Sequence, residues 1–139
     1  VQDNGLNIDL YNQKRKSFPN VIVLGGVGFK YQPSSKNTLE YDLKQGTQRC
    51  DAIVTTGSGT GIETPIEKLI TYKEKLDNFP LIVGAGVNLE NAYEQLNVAD
   101  GVIVGSSLKI HNQTLNHLNI NKIKDFRDIV ETVRAERYK

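Results

Sequence analysis

Four short runs of aliphatic and β-branched residues recur along this chain, and together they constrain its fold more than any other feature. They are Val21-Ile22-Val23-Leu24, Ala52-Ile53-Val54-Thr55, Leu81-Ile82-Val83 and Gly101-Val102-Ile103-Val104. Runs of about four apolar residues, continuous rather than alternating, suit parallel strands covered on both faces. Each run leads into glycine or small hydroxyl residues and then into an amphipathic stretch. Those stretches are expected to be helical near Thr38 to Gln48, Pro65 to Lys75, Leu89 to Leu96 and Asn121 to Glu136. The segment Ile8 to Ser17 reads as one more helix ahead of the first strand. The expected order is one helix and then four βα units, with no linker or low-complexity tract between them.

Helix starts support this division. Thr64-Pro65-Ile66-Glu67 combines a threonine cap, a proline at the first helical position and a glutamate three residues after the cap. Asn37-Thr38-Leu39-Glu40 repeats the logic with Asn37 as the cap, and Asn88 and Asn119 are placed to cap the last two helices. Strand starts near 21, 52, 81 and 102 fit βα repeats. Barrels and doubly wound open sheets share that spacing, so the glycines must discriminate. Gly84-Ala85-Gly86 lacks the third glycine of a dinucleotide-binding turn, because position 89 is Leu89. Thr55-Thr56-Gly57-Ser58-Gly59-Thr60-Gly61 lacks the Lys-Ser/Thr ending of a P-loop. Two glycine turns on the last two strands instead match the phosphate cradle that barrels build after strands seven and eight. The expected fold is α/β, the C-terminal half of a (β/α)8 barrel, with four parallel βα units as strands five to eight. Residues 1–139 are read as a single domain fragment.

Composition narrows the function classes. With 17 basic and 16 acidic residues, a net charge of +1 and the cations scattered, nothing points to nucleic acid. Lys14-Arg15-Lys16 reads as the solvated face of a helix. Cys50 is the one cysteine, so neither an internal disulfide nor a cysteine-based metal site can form, and a small buried hydrophobe is its expected role. No apolar run approaches the ~20 residues needed to span a bilayer. The expected location is cytoplasmic, with the mitochondrial matrix or another organelle as the alternative.

The candidate site collects at the C-terminal ends of the strands. Gly84, Gly86, Gly105 and Ser106 would offer backbone amides and a hydroxyl to a phosphate, glycine letting the anion approach without a Cβ in the way. Thr56, Ser58 and Thr60 form a hydroxyl-rich loop able to close over a ligand. Lys30 is the candidate catalytic or cationic group, as an anion clamp, a base or a Schiff-base former. Lys109 carries the clamp reading beside a surface one. His111 and His117 read as loop residues, no metal site is expected, and no cofactor is indicated. Asp51 and Asp100 sit before their strands, where stability is the usual role. Glu63 is the one carboxylate expected to reach the ligand face.

Three stretches together resemble the BtpA/SgcQ family. They are Asp51-Ala52-Ile53-Val54-Thr55-Thr56-Gly57-Ser58-Gly59-Thr60-Gly61, Leu81-Ile82-Val83-Gly84-Ala85-Gly86-Val87-Asn88 and Ala99-Asp100-Gly101-Val102-Ile103-Val104-Gly105-Ser106-Ser107-Leu108-Lys109. The likeness runs from about Gly5 to the last helix and corresponds to the C-terminal half of that family. It implies a ribulose-phosphate-binding-type barrel. BtpA itself is associated with biogenesis or stability of photosystem I, and relatives occur in organisms without photosynthesis. After the first strand the family usually shows an Ala-Asp-Val-His-Val-Lys-His type of sequence, whereas here it is Gly25-Gly26-Val27-Gly28-Phe29-Lys30-Tyr31. The lysine stays, but the groups suited to proton transfer are replaced by Gly26, Gly28 and Tyr31.

Two functions follow as expectations. One is a barrel binding a phosphorylated small molecule, its reaction undefined. The other is a non-catalytic assembly or accessory subunit of a membrane protein complex, with a degenerate active site. A homo-oligomer or the subunits of such a complex are the expected protein partners. The chain has no methionine and begins Val1-Gln2-Asp3. An N-terminal half of roughly 100 residues is therefore expected outside it, the alternative being edges covered by a second copy or by partner chains.

Overall fold

The computed structural model describes Val1 and residues 5–137. Its elements alternate as expected: α1 (Ile8–Ser17), β1 (Leu24–Gly26), α2 (Leu39–Arg49), β2 (Ala52–Thr55), α3 (Ile66–Leu76), β3 (Leu81–Val83), α4 (Ala92–Val98), β4 (Gly101–Val102) and α5 (Ile120–Arg137). Two 3-10 turns, Ser106–Leu108 and Ile110–Asn112, lie between β4 and α5.

The strands form one parallel sheet in chain order, β1-β2-β3-β4. Leu24 pairs with Ala52, Ile53 with Leu81, and Ile82 with Gly101. Parallel crossovers are right-handed, so a sheet that always steps the same way carries its helices on one face. A doubly wound sheet reverses its strand order and covers both faces. The helices pack in sequence, α2 on α3, α3 on α4 and α4 on α5. The architecture is a half-barrel of four βα units.

The core lies between the helices and the outer face of the sheet. Ile53, Leu81 and Val83 meet Leu43, Leu69, Tyr72, Leu76, Ala92 and Phe126 there. Ile53, Leu69 and Leu81 are fully buried, and each such side chain contributes about 1.5–3 kcal/mol. On the inner face Leu24 and Ile103 remain half exposed, at 49% and 48%. Val54 is covered there, with Phe29 and Val54 both bordering Gly84. Among the described residues no helix is long and apolar enough to cross a membrane.

Asp51 and Asp100 hold the opposite edge of the sheet together. Asp51 accepts the Val23 amide at 2.7 Å and the Arg15 guanidinium at 3.1 Å. Asp100 accepts the Leu81 amide at 2.9 Å and the Lys73 ammonium at 2.7 Å. Arg15 also donates to the Val21 carbonyl at 2.8 Å, which corrects the purely solvated reading of the basic run.

Several boundaries also differ from expectation. β1 starts at Leu24 rather than Val21, because Arg15 takes the Val21 carbonyl and Asp51 takes the Val23 amide. β4 ends at Val102, although the Ile103 amide still reaches the Val83 carbonyl at 2.8 Å. Thr38, not Asn37, caps α2 by accepting the Tyr41 amide. Pro65 stands at the start of α3 without a side-chain cap, and the Thr64 hydroxyl is buried with no partner. Asn88 accepts the Glu90 and Asn91 amides, capping a turn ahead of α4, which begins only at Ala92. Asn119 behaves as expected, accepting the Asn121 and Lys122 amides at the start of α5.

Candidate functional site

At the C-terminal edge of β3 and β4 the two glycine turns face each other across a cavity of about 400 Å³. Its walls include Lys30, Thr60, Gly84, Gly86, Gly105 and Ser106, so six of the eight candidate site residues converge there. Local chemistry explains the gap. The Gly84 amide donates to the Thr55 carbonyl at 2.8 Å, after which the β3 ladder stops. Beyond β4 the Leu108 amide turns back to the Gly105 carbonyl at 3.1 Å. The Ser107 hydroxyl donates to the Val87 carbonyl at 2.7 Å and ties one turn to the other. Among the described residues the amides of Ala85, Gly86, Gly105 and Ser106 have no protein acceptor.

The three glycines have different reasons to be glycine. At Gly84 a Cβ would lie 2.7 Å from Val54 Cγ1 and 3.0 Å from Phe29 Cε2, so inner-face packing excludes it. Gly86 has φ +77, and a Cβ there would lie 2.6 Å from Glu63 Cα and nearer still to the Ile62 carbonyl. At Gly105 a Cβ would meet nothing within 4 Å. Gly105 is exposed and lines the cavity, so no packing among the described residues requires a glycine there.

Lys30 sits where the loop after β1 crosses the end of β2. Its amide donates to Thr56 Oγ1 at 2.6 Å, and its ammonium lies 5.9 Å from the Phe29 ring centre. No carboxylate or carbonyl among the described residues accepts from that ammonium. The hydroxyl loop divides into three environments. Thr60 lines the cavity, its amide donating to the Tyr31 hydroxyl at 3.2 Å, a bond that holds the pKa of that exposed phenol below the ordinary tyrosine value. Ser58 lines an adjoining cavity of about 430 Å³ that also includes Lys30. Thr56 is fully buried and its hydroxyl is committed, accepting from Lys30 and donating to the Gly57 carbonyl.

Other candidates lie apart. Glu63 accepts from Gln95 Nε2 at 3.0 Å, and Gln95 also holds the Thr64 carbonyl at 2.8 Å. That pair anchors the end of the hydroxyl loop to α4, and Glu63 does not line the cavity. The Lys109 ammonium donates to the Thr114 carbonyl. His111 and His117 are absent from the cavity wall. No group of three or more His, Cys, Asp or Glu among the described residues is placed to hold a metal ion.

Sequence reasoning missed Asn112, Thr114 and Lys68. Asn112 lines the cavity at φ 56, beside His111 at φ 53, and accepts from the Lys122 ammonium at 2.6 Å. Asparagine tolerates the left-handed region, so His111-Asn112 was the available signal. Lys68 projects from α3 and donates to the Gly28 carbonyl at 2.8 Å and the Thr56 carbonyl at 2.7 Å. Burial holds its ammonium below the ordinary lysine range. Gly28, at φ +59, makes room for this arrangement, since a Cβ there would strike the Tyr72 hydroxyl.

The profile of the BtpA family matches residues 13–133. An uncharacterized protein of Pyrococcus horikoshii is 37% identical over 99 residues, which are 71% of this chain and 37% of that protein. An uncharacterized mitochondrial protein of Caenorhabditis elegans is 37% identical over 84 residues, 60% of this chain and 30% of that protein. The putative sgc region protein SgcQ of Escherichia coli is 29% identical over 84 residues, 60% of this chain and 31% of that protein. Among solved structures, thiamine phosphate pyrophosphorylase from Pyrococcus furiosus superposes with a TM-score of 0.65 at 19% identity, covering 96% of this chain and 58% of that one. That likeness is one of fold. The chain thus spans well under half the length of these curated relatives.

Proposed function

The chain belongs to the BtpA family, and on that footing we propose that it binds the phosphate group of a phosphorylated small molecule between the β3 and β4 turns. Gly105 carries the reading. Gly84 and Gly86 are required by neighbouring protein atoms, whereas among the described residues nothing lies within 4 Å of a Cβ at Gly105. Amides without protein acceptors border the cavity there, and Lys30 supplies a cation on the same wall. Backbone amides without acceptors at the end of parallel strands, with no carboxylate on the wall among the described residues, favour an oxyanion. The solved barrel whose fold this chain shares is itself named for a phosphate compound.

The test is calorimetry on the intact protein that contains this chain, titrated with ribulose 5-phosphate. Gly105→Asp places a carboxylate where the phosphate would sit, and like charges so juxtaposed oppose binding by several kcal/mol, on the order of a hundred-fold or more in affinity. Wild-type protein that ignores the ester, or a Gly105→Asp variant that binds it equally well, refutes the proposal.

A second reading has its own observation. Gly28 stands where the resemblance to the family leads one to expect a histidine, and the Tyr72 hydroxyl fills the place a side chain would take. That arrangement fits an accessory subunit of a larger complex, which keeps ligand binding but has lost proton-transfer chemistry. Binding without turnover of any phosphorylated ligand tested would favour it.

A further inference from the structure

We propose that a second oxyanion subsite lies over the C-terminal ends of β1 and β2 and shares Lys30 with the phosphate cradle, so that the ligand is a small molecule anionic at both ends. The inference rests on the phosphate reading above and names the class of compound it implies. A cavity of about 430 Å³ adjoins the cradle there, and Lys30 lines both. Its wall carries Lys30, Lys68 and Ser58, and no carboxylate lines either cavity among the described residues.

Lys68 is the informative residue. Its ammonium holds two main-chain carbonyls, Gly28 at 2.8 Å and Thr56 at 2.7 Å, leaving one of three N–H groups. Tying two loops together requires donors, and a neutral amide could provide them. A net positive charge is not required for that task, and withdrawing it from water is unfavourable unless an anion matches it. The Tyr72 ring, 5.4 Å away, takes up only part of that charge. No Asp or Glu among the described residues pairs with Lys68. Lys30 also lacks a carboxylate partner, and the exposed Ser58 hydroxyl beside them has no protein partner among the described residues. Two unmatched ammonium groups and a free hydroxyl around one cavity, next to a cradle of unpaired amides, are complementary to a second phosphate or a carboxylate on the same ligand.

The experiment titrates the intact protein at constant ionic strength with four probes. Inorganic phosphate and ribulose 5-phosphate carry one anionic group, ribulose 1,5-bisphosphate carries two phosphates, and 3-phosphoglycerate carries a phosphate and a carboxylate. At least one doubly anionic probe is expected to bind about ten-fold or more tightly than ribulose 5-phosphate, the scale of one charge-assisted hydrogen bond. The bisphosphate and the phosphoglycerate arms distinguish which second group is preferred. Lys30→Met and Ser58→Ala, both at accessible positions, are expected to shrink that advantage. Lys68→Met is expected to do the same, with Lys68→Gln as the variant that retains a donor for the loops. Monophosphate binding that Gly105→Asp abolishes, with no gain for either doubly anionic probe, overturns the second subsite and leaves the cradle standing. A gain that survives both Lys30→Met and Ser58→Ala overturns it too. Binding of no probe at all overturns the cradle and the subsite together.

Discussion

Replacing Gly86 and Gly105 separately by alanine should separate packing from ligand binding, because the added methyl group meets opposite surroundings. At Gly86 the backbone is left-handed, with φ +77, which disfavours an L side chain by roughly 1–2 kcal/mol. The methyl group would also lie 2.6 Å from Glu63 Cα, and forcing the loop aside costs about 1–3 kcal/mol. Alanine's stiffer unfolded chain returns about 0.4–1 kcal/mol. The net expectation for Gly86→Ala is a loss of about 1–4 kcal/mol. At Gly105 nothing lies within 4 Å of the same methyl group, so stability should change by no more than about 0.5 kcal/mol. Phosphate-ester affinity should nevertheless fall, because the methyl enters the cradle. Urea unfolding of the intact protein, read by circular dichroism, measures the first quantity, and calorimetry measures the second. Equal destabilisation by the two variants, or Gly105→Ala binding like wild type, would refute the reasoning.

The Asp51 carboxyl is held below its ordinary range by the Val23 amide first and by Arg15 second. A depressed acid contributes stability above its unfolded value and loses it as pH falls through the folded one. Asp51→Asn should therefore unfold more readily than wild type at neutral pH, and the gap should close in acid below the ordinary aspartate value of 3.8; a gap constant with pH in urea titrations would contradict this. Desolvation lowers Lys68 below 10.5, so between its folded value and 10.5 the unfolded chain binds more protons and the Lys68 contribution rises with pH. Wild type should gain on Lys68→Met across that alkaline window, measured as urea midpoints, and a flat difference would mean that the buried charge is already matched. Cys50 is buried, its single S–H is shared between the Gly46 and Ala52 carbonyls, and burial raises its pKa. Alkylation by iodoacetamide should thus track unfolding, and rapid labelling of the native protein would show that the start of β2 opens on its own.

Much of the frame was legible along the chain. α1 begins and ends where Ile8 and Ser17 were expected, and β2 is Ala52–Thr55 as read. Boundaries failed where a distant side chain competed with the ladder. Arg15 and Asp51 take the main-chain groups around Val21 to Val23 and shorten β1, and neither contact is visible in the local pattern. Thr64 shows the same limit for caps. Its local motif favoured a capping bond, yet the residue is packed under Gln95, and the hydroxyl makes none.

Apolar runs of strand length, glycine after each and amphipathic stretches between them were enough to establish parallel βα units, since such patterns reflect short-range geometry. Barrel rather than open sheet was decided by strand order, together with the helices packing in sequence on one face. Only the tertiary structure distinguished the glycines at the cradle, because the absence of a side chain is a local fact while the occupant of the vacated space is not. Ile62 and Glu63 fill it at Gly86, Val54 and Phe29 border it at Gly84, and at Gly105 no atom lies within 4 Å. Lys68 came to light for the same reason, its carbonyl partners lying 40 and 12 residues away along the chain.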